Sequence, residues 1–366
     1  MTVGPTSALT RVLLATIAAL LTFQLFTIYQ GRHQAAPVQD QAAPQVPQQD
    51  EASSNFLTCT GDQGDDTCFD ALVDSIPPYR DLDDECHGKP DEPRQEENSR
   101  SPRLAVVTAQ FGAAKQYYEE ALRTQMMLSK VHNFRLLVLR SKITDVLWNK
   151  PAHILSILLD EMAKPEDERL EWLLWVDRDV VVLDKCRTPA AFLPPSAALA
   201  SRDDEPKTGT EGVNMLVTSD WNGLNNGIFL VRVGRWSLDL FSDIIAYRHY
   251  NPDIELKFTE QTAMELLLAD ERYHEAVTWV PQWWFNAYPG PQKPDDTENK
   301  GDTKEYHARR GDFLVHFAGV PHRGDAMRPW LDLAESGDWG ERNNTPARDL
   351  DSEIQEFWRN QTSKDG

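Results

Sequence analysis

The sequence is poor in basic residues and in cysteine. Its 37 lysines and arginines face 58 aspartates and glutamates, which gives a formal net charge of −21. A nucleic-acid-binding protein needs a basic surface stripe, so this charge argues against that class of function. The four cysteines form no Cys-x-x-Cys pair, which argues against a structural zinc site. A phosphorylated ligand would gain no attraction from the bulk field, so a bound divalent cation would have to supply local positive charge.

Long apolar runs are also scarce, and the clearest one lies near the N-terminus. Residues 12–29 contain no charged side chain, with Arg11 before them and Arg32 after them. At a rise of 1.5 Å per residue this run spans ~27 Å, close to the hydrocarbon thickness of a bilayer. A cleaved signal peptide is the alternative, but it has a shorter apolar region and ends in small residues. We therefore expect residues 1–30 to form a cytosolic tail and a signal-anchor transmembrane helix, with the carboxyl side luminal.

The remaining chain divides by composition into three parts. Residues 31–100 are rich in Gln, Pro, Ala and acidic residues, so they are expected to form a low-complexity luminal stem. Within the stem, Cys59 and Cys68 are close enough to pair in an oxidising lumen. Residues 101–340 are the expected catalytic domain. Residues 341–366 are an expected polar C-terminal tail, which carries glycosylation sequons at Asn343 and Asn360.

Apolar runs alternate with helical patterns from residue 101 onward. Residues 103–110, 135–139 and 172–176 have the continuous apolar character of strands that are covered on both faces. Residues 117–131 and 151–164 between them have helical spacing or a proline suited to a first turn. This alternation predicts parallel βαβ units and an α/β fold.

Two aspartates follow the third of these strands at positions i and i+2. Ligands bind at the carboxyl ends of strands in α/β sheets, which is where Asp177 and Asp179 are expected. Carboxylate oxygens suit Mg²⁺ or Mn²⁺ shared with a diphosphate. Two other Asp-x-Asp sequences, at residues 81–83 and 349–351, lie in polar segments without a preceding strand. A solvated turn is the alternative interpretation of the central pair.

Four segments in this order resemble glycosyltransferase family 34. They are residues 177–179, 222–229, 260–263 and 311–319. The family includes fungal Golgi α-galactosyltransferases, α-1,6-mannosyltransferase subunits and plant xyloglucan xylosyltransferases, and the resemblance covers about residues 103–335. It implies a GT-A type, Rossmann-like domain, a metal-dependent nucleotide-sugar donor, retention of anomeric configuration and a single-pass type II Golgi membrane protein.

The resemblance also assigns the metal ligands. The family's acidic pair corresponds to Asp177 and Asp179, and its late histidine, the third protein ligand, corresponds to His316. A hydrogen-bonded core histidine is the alternative for His316, because its neighbours are apolar. Two carboxylates and an imidazole suit Mn²⁺ better than Mg²⁺, which remains the second choice.

The predicted donor and acceptor contacts come partly from the resemblance and partly from position. The family's acidic-Gln pair, close to the anomeric carbon, corresponds to the catalytic candidates Glu260 and Gln261. Its segment on the sugar and acceptor side corresponds to Leu224, Asn225 and Gly227, and Asn226 lies within it; a plain turn is the alternative there. Thr108 and Gln110, at the end of the first strand, are expected nucleotide contacts by position alone.

Arg178 departs from the family pattern, which has a small or neutral residue between the two aspartates. Its side chain is expected either to reach the nucleotide phosphates or to pair with a neighbouring acid, and the second is favoured by the number of acids. The basic residue after the family's late histidine has no clear counterpart, although His322 and Arg323 lie nearby.

The expected function is therefore transfer of a hexose in α linkage, from UDP-galactose, to a glycan acceptor. GDP-mannose is the rival donor. The resemblance implies same-face attack, with Gln261 near the opposite face of the sugar and the leaving phosphate as base. A different class of hypothesis is a non-catalytic scaffold subunit of a mannan-synthesising complex, which would associate with other glycosyltransferases.

Overall fold

The computed structural model describes residues 56–61, 68–87, 101–195, 212–290, 304–337 and 347–362. All of them belong to one compact unit, Ala52–Gly366. Within these ranges, none of the helices has the length and apolar character needed to cross a bilayer. The predicted signal anchor at residues 12–29 lies outside the described residues, and so does the sequon at Asn343.

The described residues form an α/β structure, as predicted. The strands are β1 Leu57–Thr60, β2 Leu104–Ala109, β3 Arg135–Leu139, β4 Trp172–Val176, β5 Val180–Val182, β6 Met215–Asp220, β7 Gly223–Arg232, β8 Val277–Trp279 and β9 Leu314–His316. The α-helices are α1 Asp70–Asp74, α2 Tyr79–His87, α3 Gln116–Val131, α4 Asn149–Met162, α5 Arg235–Tyr250, α6 Glu260–Leu268, α7 Arg323–Ser336 and α8 Leu350–Thr362.

A seven-stranded sheet in the order β1-β3-β2-β4-β7-β6-β8 forms the centre. The first four strands are parallel, whereas β7 is antiparallel to both β4 and β6. The predicted parallel βαβ pattern therefore holds only for one half of the sheet. Residues 220–227 are rich in turn-forming residues, and they form a tight hairpin with Trp221 and Asn222 between β6 and β7. Such a two-residue connection can join only antiparallel strands.

Helices cover both faces of this sheet. On one face, Leu122 and Met126 of α3 pack against alternate strand residues in one apolar core. On the other face, Ile157 of α4, Phe241 of α5 and Met264 of α6 pack against the intervening strand residues. All five residues of β4 are buried, which explains why its sequence is apolar at every position.

Part of the predicted stem is integrated in this fold. Strand β1 pairs in parallel with β3, from Leu57 opposite Leu136 onward, and Leu82 of α2 is buried in the core. The predicted Cys59–Cys68 disulfide is present, and a second disulfide joins Cys86 to Cys186. The predicted spacer over residues 31–100 is therefore corrected at residues 56–87. The short apolar runs at residues 56–87 pack against the edge of the sheet and its core. The average composition of the segment does not reveal these contacts.

The predicted polar C-terminal tail needs a similar correction. Helix α8 buries Leu350, Ile354 and Trp358 against the core. These positions are spaced four residues apart, so they lie on one face of the helix. The polar residues that dominate the tail's composition occupy its other faces.

A small second sheet, formed by β5 and β9, positions the end of β9. Strand β5 pairs antiparallel with β9, so that Val180 lies opposite His316. Because β5 begins directly after Asp179, this pairing brings His316 next to the acidic pair that follows β4.

Candidate metal centre and donor site

Asp177 and Asp179 are held by backbone hydrogen bonds at the point where the two sheets meet. The Asp177 N–H donates to the carbonyl of Gly227 at 2.8 Å, which extends the pairing of β4 with β7 by one residue. The Asp179 carbonyl accepts from the N–H of Phe317 at 3.0 Å. One ligand atom each from Asp177, Asp179 and His316 lie within 4.8 Å of one another. The structure therefore brings the three sequence-predicted ligands together.

A buried amide fixes the orientation of the imidazole. Nδ1 of His316 lies 2.8 Å from Oδ1 of Asn286. The Nδ2 group of Asn286 donates to Oγ1 of Thr218 at 2.8 Å and to Oδ1 of Asn225 at 3.1 Å, which assigns Oδ1 as the acceptor. Nδ1 of His316 is then the protonated nitrogen. In the neutral ring Nε2 then carries the lone pair, and it faces Oδ1 of Asp179 at 3.6 Å.

Gly227 leaves the space that this ring occupies. A Cβ atom at position 227 would lie 2.2 Å from Cε1 of His316 and 2.9 Å from both ring nitrogens. Any side chain larger than hydrogen would therefore displace the imidazole from the acidic pair. The sequence resemblance placed Gly227 on the sugar side of the pocket, whereas the structure gives it a steric role beside the histidine.

The chemistry of these three groups fits a divalent cation. Burial raises the pKa of Asp179, but the Arg323 guanidinium at 3.1 Å, and the His316 imidazole whenever it is protonated on both nitrogens, outweigh burial and leave the pKa below its ordinary value. Asp179 is therefore an anion at neutral pH. Two carboxylates and one imidazole nitrogen, with the second nitrogen held by an amide oxygen, form a ligand set suited to Mn²⁺ and related ions.

Lys150 is a site residue that the sequence interpretation missed. Its buried ammonium lies 3.1 Å from Oδ1 of Asp177 and 3.7 Å from Oε1 of Glu260. It also donates to the carbonyl and side-chain oxygens of Asn226, both at 2.9 Å. Lys150 precedes Ile154 by four residues on the buried side of α4. A lysine in line with an apolar helix face was the signal that could have revealed it.

Arg323 is the second cation at the site. Its Nε lies 3.1 Å from Oδ2 of Asp179 and donates to the carbonyl of Phe317 at 3.1 Å. The sequence interpretation noted Arg323 only as a neighbour of the late histidine motif. An open cavity of about 370 Å³ adjoins this arginine and is lined by Lys115, Tyr117, Tyr118, Val320, His322, Arg323, Gly324 and Asp325. Asp179 thus has the His316 imidazole beside Oδ1. Beside Oδ2 it has the guanidinium of Arg323, which lines the cavity.

Comparison with known proteins identifies the family. The model of the galactosyl transferase GMA12/MNN10 family, which is glycosyltransferase family 34, matches residues 104–326. The chain belongs to this family. The match includes both aspartates, His316 and Arg323, so the metal-centre residues all lie inside the family domain.

Relatives in this family share modest identity over part of their length. The probable alpha-1,6-mannosyltransferase MNN10 of Saccharomyces cerevisiae is 29% identical over 41% of this chain and 41% of its own. The uncharacterized alpha-1,2-galactosyltransferase C637.06 of Schizosaccharomyces pombe is 29% identical over 32% of this chain and 34% of its own. Galactomannan galactosyltransferase 1 of Cyamopsis tetragonoloba is 27% identical over 43% of this chain and 38% of its own. The matched segments thus span less than half of each of these relatives.

Among solved structures, a glycosyltransferase involved in the glycosylation of the major capsid of PBCV-1 overlaps with 63% of this chain and with all of its own. Its sequence identity is 14% and the TM-score is 0.44. The glycosyltransferase GlyE of Streptococcus pneumoniae overlaps with 72% of this chain and 64% of its own, at 14% identity and a TM-score of 0.34.

The family's acidic-Gln pair opens helix α6 beside Lys150. Glu260 is buried, and burial raises its pKa, although the charge of Lys150 partly offsets this effect. Oε1 of Gln261 accepts from the backbone N–H of Asn226 at 3.3 Å. Both predicted catalytic residues are therefore connected to the candidate metal centre. Glu260 is connected through Lys150, which contacts Asp177, and Gln261 is connected through β7, which pairs with β4.

The other members of the family's Leu-Asn-x-Gly segment have supporting roles. The Oδ1 atom of Asn225 accepts from the N–H of Gly227 at 3.0 Å, and Asn226 binds Lys150. Leu224 and Thr108 are fully buried within the fold. The predicted ligand contacts of Leu224 and Thr108 are corrected accordingly, because residues 223–227 belong to strand β7 and Thr108 lies inside β2.

Gln110 and Arg178 meet at Tyr118 near the cavity. The Nε2 group of Gln110 donates to the carbonyl of Tyr118 at 3.3 Å. The guanidinium of Arg178 lies 4.3 Å from the centre of the Tyr118 ring and donates to the carbonyl of Phe111 at 3.1 Å. The favoured prediction of an acidic partner for Arg178 is wrong within the described residues, because a ring face and a carbonyl take that place.

Proposed function

We propose that this protein is a divalent-metal-dependent, retaining hexosyltransferase of the GT-A type. It moves a hexose from a nucleotide sugar to a hydroxyl of a glycan and forms an α linkage. One observation carries the proposal: Nε2 of His316 is oriented toward Asp177 and Asp179 by Asn286, in a chain that belongs to a glycosyltransferase family. A solvated turn after β4 would need neither the buried histidine nor the amide that orients it.

The roles of the charged residues follow from where they lie. Asp177, Asp179 and His316 would hold the metal, which when bound supplies positive charge to the diphosphate leaving group. Arg323 presents hydrogen-bond donors at the wall of the adjoining cavity, where a phosphate would be neutralised further. Lys150 holds Asp177 and Glu260 in register and keeps their negative charges compensated.

Gln261 and Glu260 are the residues we place near the reacting sugar. The side-chain oxygen of Gln261 accepts from the backbone N–H of Asn226, the residue before Gly227. We assign to Gln261 the face of the sugar opposite the acceptor, and to the leaving phosphate the role of base for the acceptor hydroxyl. Glu260 acts through Lys150, which is 3.7 Å away.

UDP-galactose is the proposed donor, Mn²⁺ is the proposed metal and Mg²⁺ is the second choice. Galactosyltransferases among the relatives support this donor, while the 29% identity with a probable alpha-1,6-mannosyltransferase supports GDP-mannose as the rival. Mannose-containing glycans are the proposed acceptors, because one relative is named for galactomannan. Linkage to a particular acceptor hydroxyl forms no part of the proposal.

We place the protein in the Golgi membrane as a single-pass type II protein, with residues 12–29 as its anchor. The Cys59–Cys68 and Cys86–Cys186 disulfides support a luminal location, because disulfides persist in oxidising compartments. Association with other glycosyltransferases at this membrane is part of the same proposal.

Donor turnover by the purified full chain in detergent tests the proposal. UDP-galactose, UDP-glucose, UDP-xylose and GDP-mannose would each be incubated with Mn²⁺, with Mg²⁺ or with EDTA, and nucleotide release would be measured with and without mannose oligosaccharides. We expect Mn²⁺-dependent release from UDP-galactose and loss of release in the D177A/D179A variant. Release from GDP-mannose alone would identify the rival donor. Absence of nucleotide release from every donor would instead identify a scaffold, if an associated glycosyltransferase also keeps its activity in the presence of the D177A/D179A variant.

A further inference from the structure

The hairpin between β6 and β7 presents a tryptophan to solvent close to the metal centre. Trp221 is 70% exposed. One side of its ring packs against Tyr288 at 5.3 Å and Tyr306 at 5.8 Å between ring centroids. Its remaining surface is open. A large aromatic side chain in such a position commonly marks a binding surface, because it adds much contact area while losing little entropy.

The backbone that carries this ring is fixed. Oδ1 of Asp220 accepts from the N–H of Asn222 at 2.6 Å, and Oε1 of Glu265 accepts from the N–H of Leu224 at 2.9 Å. Gly223 has a φ of +102°, and a Cβ there would lie 2.0 Å from the same Glu265 oxygen. The indole is thus held on a rigid turn before a ligand arrives, which lowers the entropic cost of binding.

A single aromatic ring separates Trp221 from the metal centre. The Tyr288 ring lies 6.0 Å from the ring of His316 and packs edge-on against Trp221. The Tyr288 hydroxyl donates to Oδ2 of Asp220, which precedes Trp221 in the hairpin. This hydrogen bond fixes the tyrosine between the hairpin and the histidine.

We infer that Trp221 is the acceptor subsite, where the apolar face of a hexopyranose ring of the acceptor glycan stacks on the indole. The inference rests on the proposed function and specifies its acceptor side. A pyranose presents C–H groups on its faces and hydroxyls around its rim. The indole matches the first, and the exposed amide of Asn222 beside it matches the second. A lipid surface is a poorer match, because the acidic Asp220 adjoins the ring and the chain carries a net charge of −21.

Steady-state kinetics of W221A and W221F test the inference, with W279A as the matched control. Trp279 is also exposed, at 42%, and lies in β8 at the edge of the sheet. With UDP-galactose and α-1,6-linked mannotriose, we expect W221A to raise the acceptor KM roughly tenfold, with a smaller rise for W221F, while the donor KM shifts less than about twofold. W279A should alter neither constant. An acceptor KM for W221A equal to that of the wild type would overturn the inference.

A binding measurement separates this inference from the proposed function. If the wild-type chain releases nucleotide from no donor, the proposed function fails, and calorimetric titration with mannotriose then decides the inference by itself. Weaker binding by W221A than by the wild type supports the subsite, whereas equal binding or no binding by both overturns it. Loss of vesicle binding or of self-association in W221A, with mannotriose binding unchanged, would also overturn it. Circular dichroism confirms that each variant is folded.

Discussion

Asn286 determines which nitrogen of His316 faces the two aspartates. Its Oδ1 atom accepts from Nδ1 of the imidazole at 2.8 Å, while its amide nitrogen is engaged by Thr218 and Asn225. Rotation of the amide would therefore break three contacts at once. Asn286 thus selects the nitrogen that faces the candidate metal site.

Replacement of Asn286 by leucine should weaken metal binding without removing a ligand. The Asn286→Leu variant frees the imidazole to change tautomer and orientation, and we expect Mn²⁺ affinity to fall by about 10- to 100-fold. Titration of the protein with Mn²⁺, followed by electron paramagnetic resonance, measures this directly. Asn251→Leu is the control, because the Asn251 side chain donates to the carbonyl of Tyr247 near the end of α5. Equal Mn²⁺ affinity in both variants would contradict the orienting role.

A single methyl group at position 227 should disable the same centre. In Gly227→Ala the new Cβ would lie 2.2 Å from Cε1 of His316, so the ring must move away from Asp179. We expect Mn²⁺ affinity to fall at least about 100-fold. Gly234→Ala is a matched control, since it has extended backbone and no heavy atom within 4 Å of its Cβ position. Calorimetry with Mn²⁺ compares the two, and retained affinity in Gly227→Ala would refute the steric argument.

Loss of the buried ammonium of Lys150 should lower the rate of turnover strongly. Lys150→Met keeps the side chain's length but leaves Asp177 and Glu260 without a compensating charge. We expect kcat to fall about 10²-fold or more, by analogy with removal of one positioned donor. Lys150→Arg should not rescue it, because a planar guanidinium does not fit a site built for a point charge.

The control for Lys150 is Lys164→Met, just after the end of the same helix α4. Lys164 is 34% exposed in its side chain and pairs with Glu161. Its removal should leave kcat within about twofold, because Glu161 lies away from the acidic pair and keeps Arg135 as a partner at 3.1 Å. If Lys150→Met were equally active, the connection from Asp177 through Lys150 to Glu260 would have no catalytic importance.

A buried acid near the C-terminal helix should make stability depend on pH. Nε of Arg348 lies 2.6 Å from Oδ1 of Asp312, and both side chains are almost fully buried. Burial raises the pKa of Asp312 from an ordinary 3.8 to about 6, although the charges of Arg348 and Arg309 oppose this. The folded chain therefore binds this proton more tightly than the unfolded chain. The resulting stabilisation is complete below pH 3.8 and is lost as the pH rises through 6.

Comparison of the wild type with Asp312→Asn isolates this effect, because the contributions of the other acids cancel. The asparagine does not titrate, so the free energy of unfolding of the wild type should fall relative to the variant by about 2 kcal/mol between pH 4 and pH 6.5. Urea unfolding at several pH values measures the difference. A difference that stays constant with pH would show that Asp312 titrates normally.

The two disulfides should contribute unequally to stability. Cys86 and Cys186 are 100 residues apart, whereas Cys59 and Cys68 are 9 apart. Closing the longer loop removes more entropy from the unfolded chain, by about 4.7 against about 2.6 kcal/mol in the chain-entropy description. Replacing Cys86 and Cys186 by serine should therefore lower the free energy of unfolding about 2 kcal/mol more than replacing Cys59 and Cys68. Denaturant unfolding of the two double variants tests this order.

Local sequence patterns were sufficient to predict the part of the site that directly follows strand β4. The apolar run of β4 and the i, i+2 spacing of Asp177 and Asp179 identify both the strand and the acids, because each depends only on neighbours in sequence. His316 was identified by motif order within the family. The turn-forming residues at 222–227 were misleading, because Asn and Gly also begin the long strand β7.

The residues that sequence did not reveal come from other elements of the fold. Lys150, Asn286 and Arg323 lie on α4, in the segment before β9 and on α7, respectively, and they meet the acids only after the two sheets assemble. Each is of a type that is common on surfaces. Their roles depend on tertiary contacts at large separations in sequence, which a pattern within one segment does not contain.

Strand β1 has a practical consequence for producing a secreted, N-terminally shortened form of this protein. A truncated chain that starts at residue 101 would lose β1 and the preceding Phe56, whose carbonyl accepts from the N–H of Leu136. Strand β3 would then become an uncovered sheet edge open to intermolecular pairing. The same truncation removes Cys86 and leaves Cys186 as an odd thiol, free to cross-link two chains during secretion. A secreted form should therefore begin before Phe56.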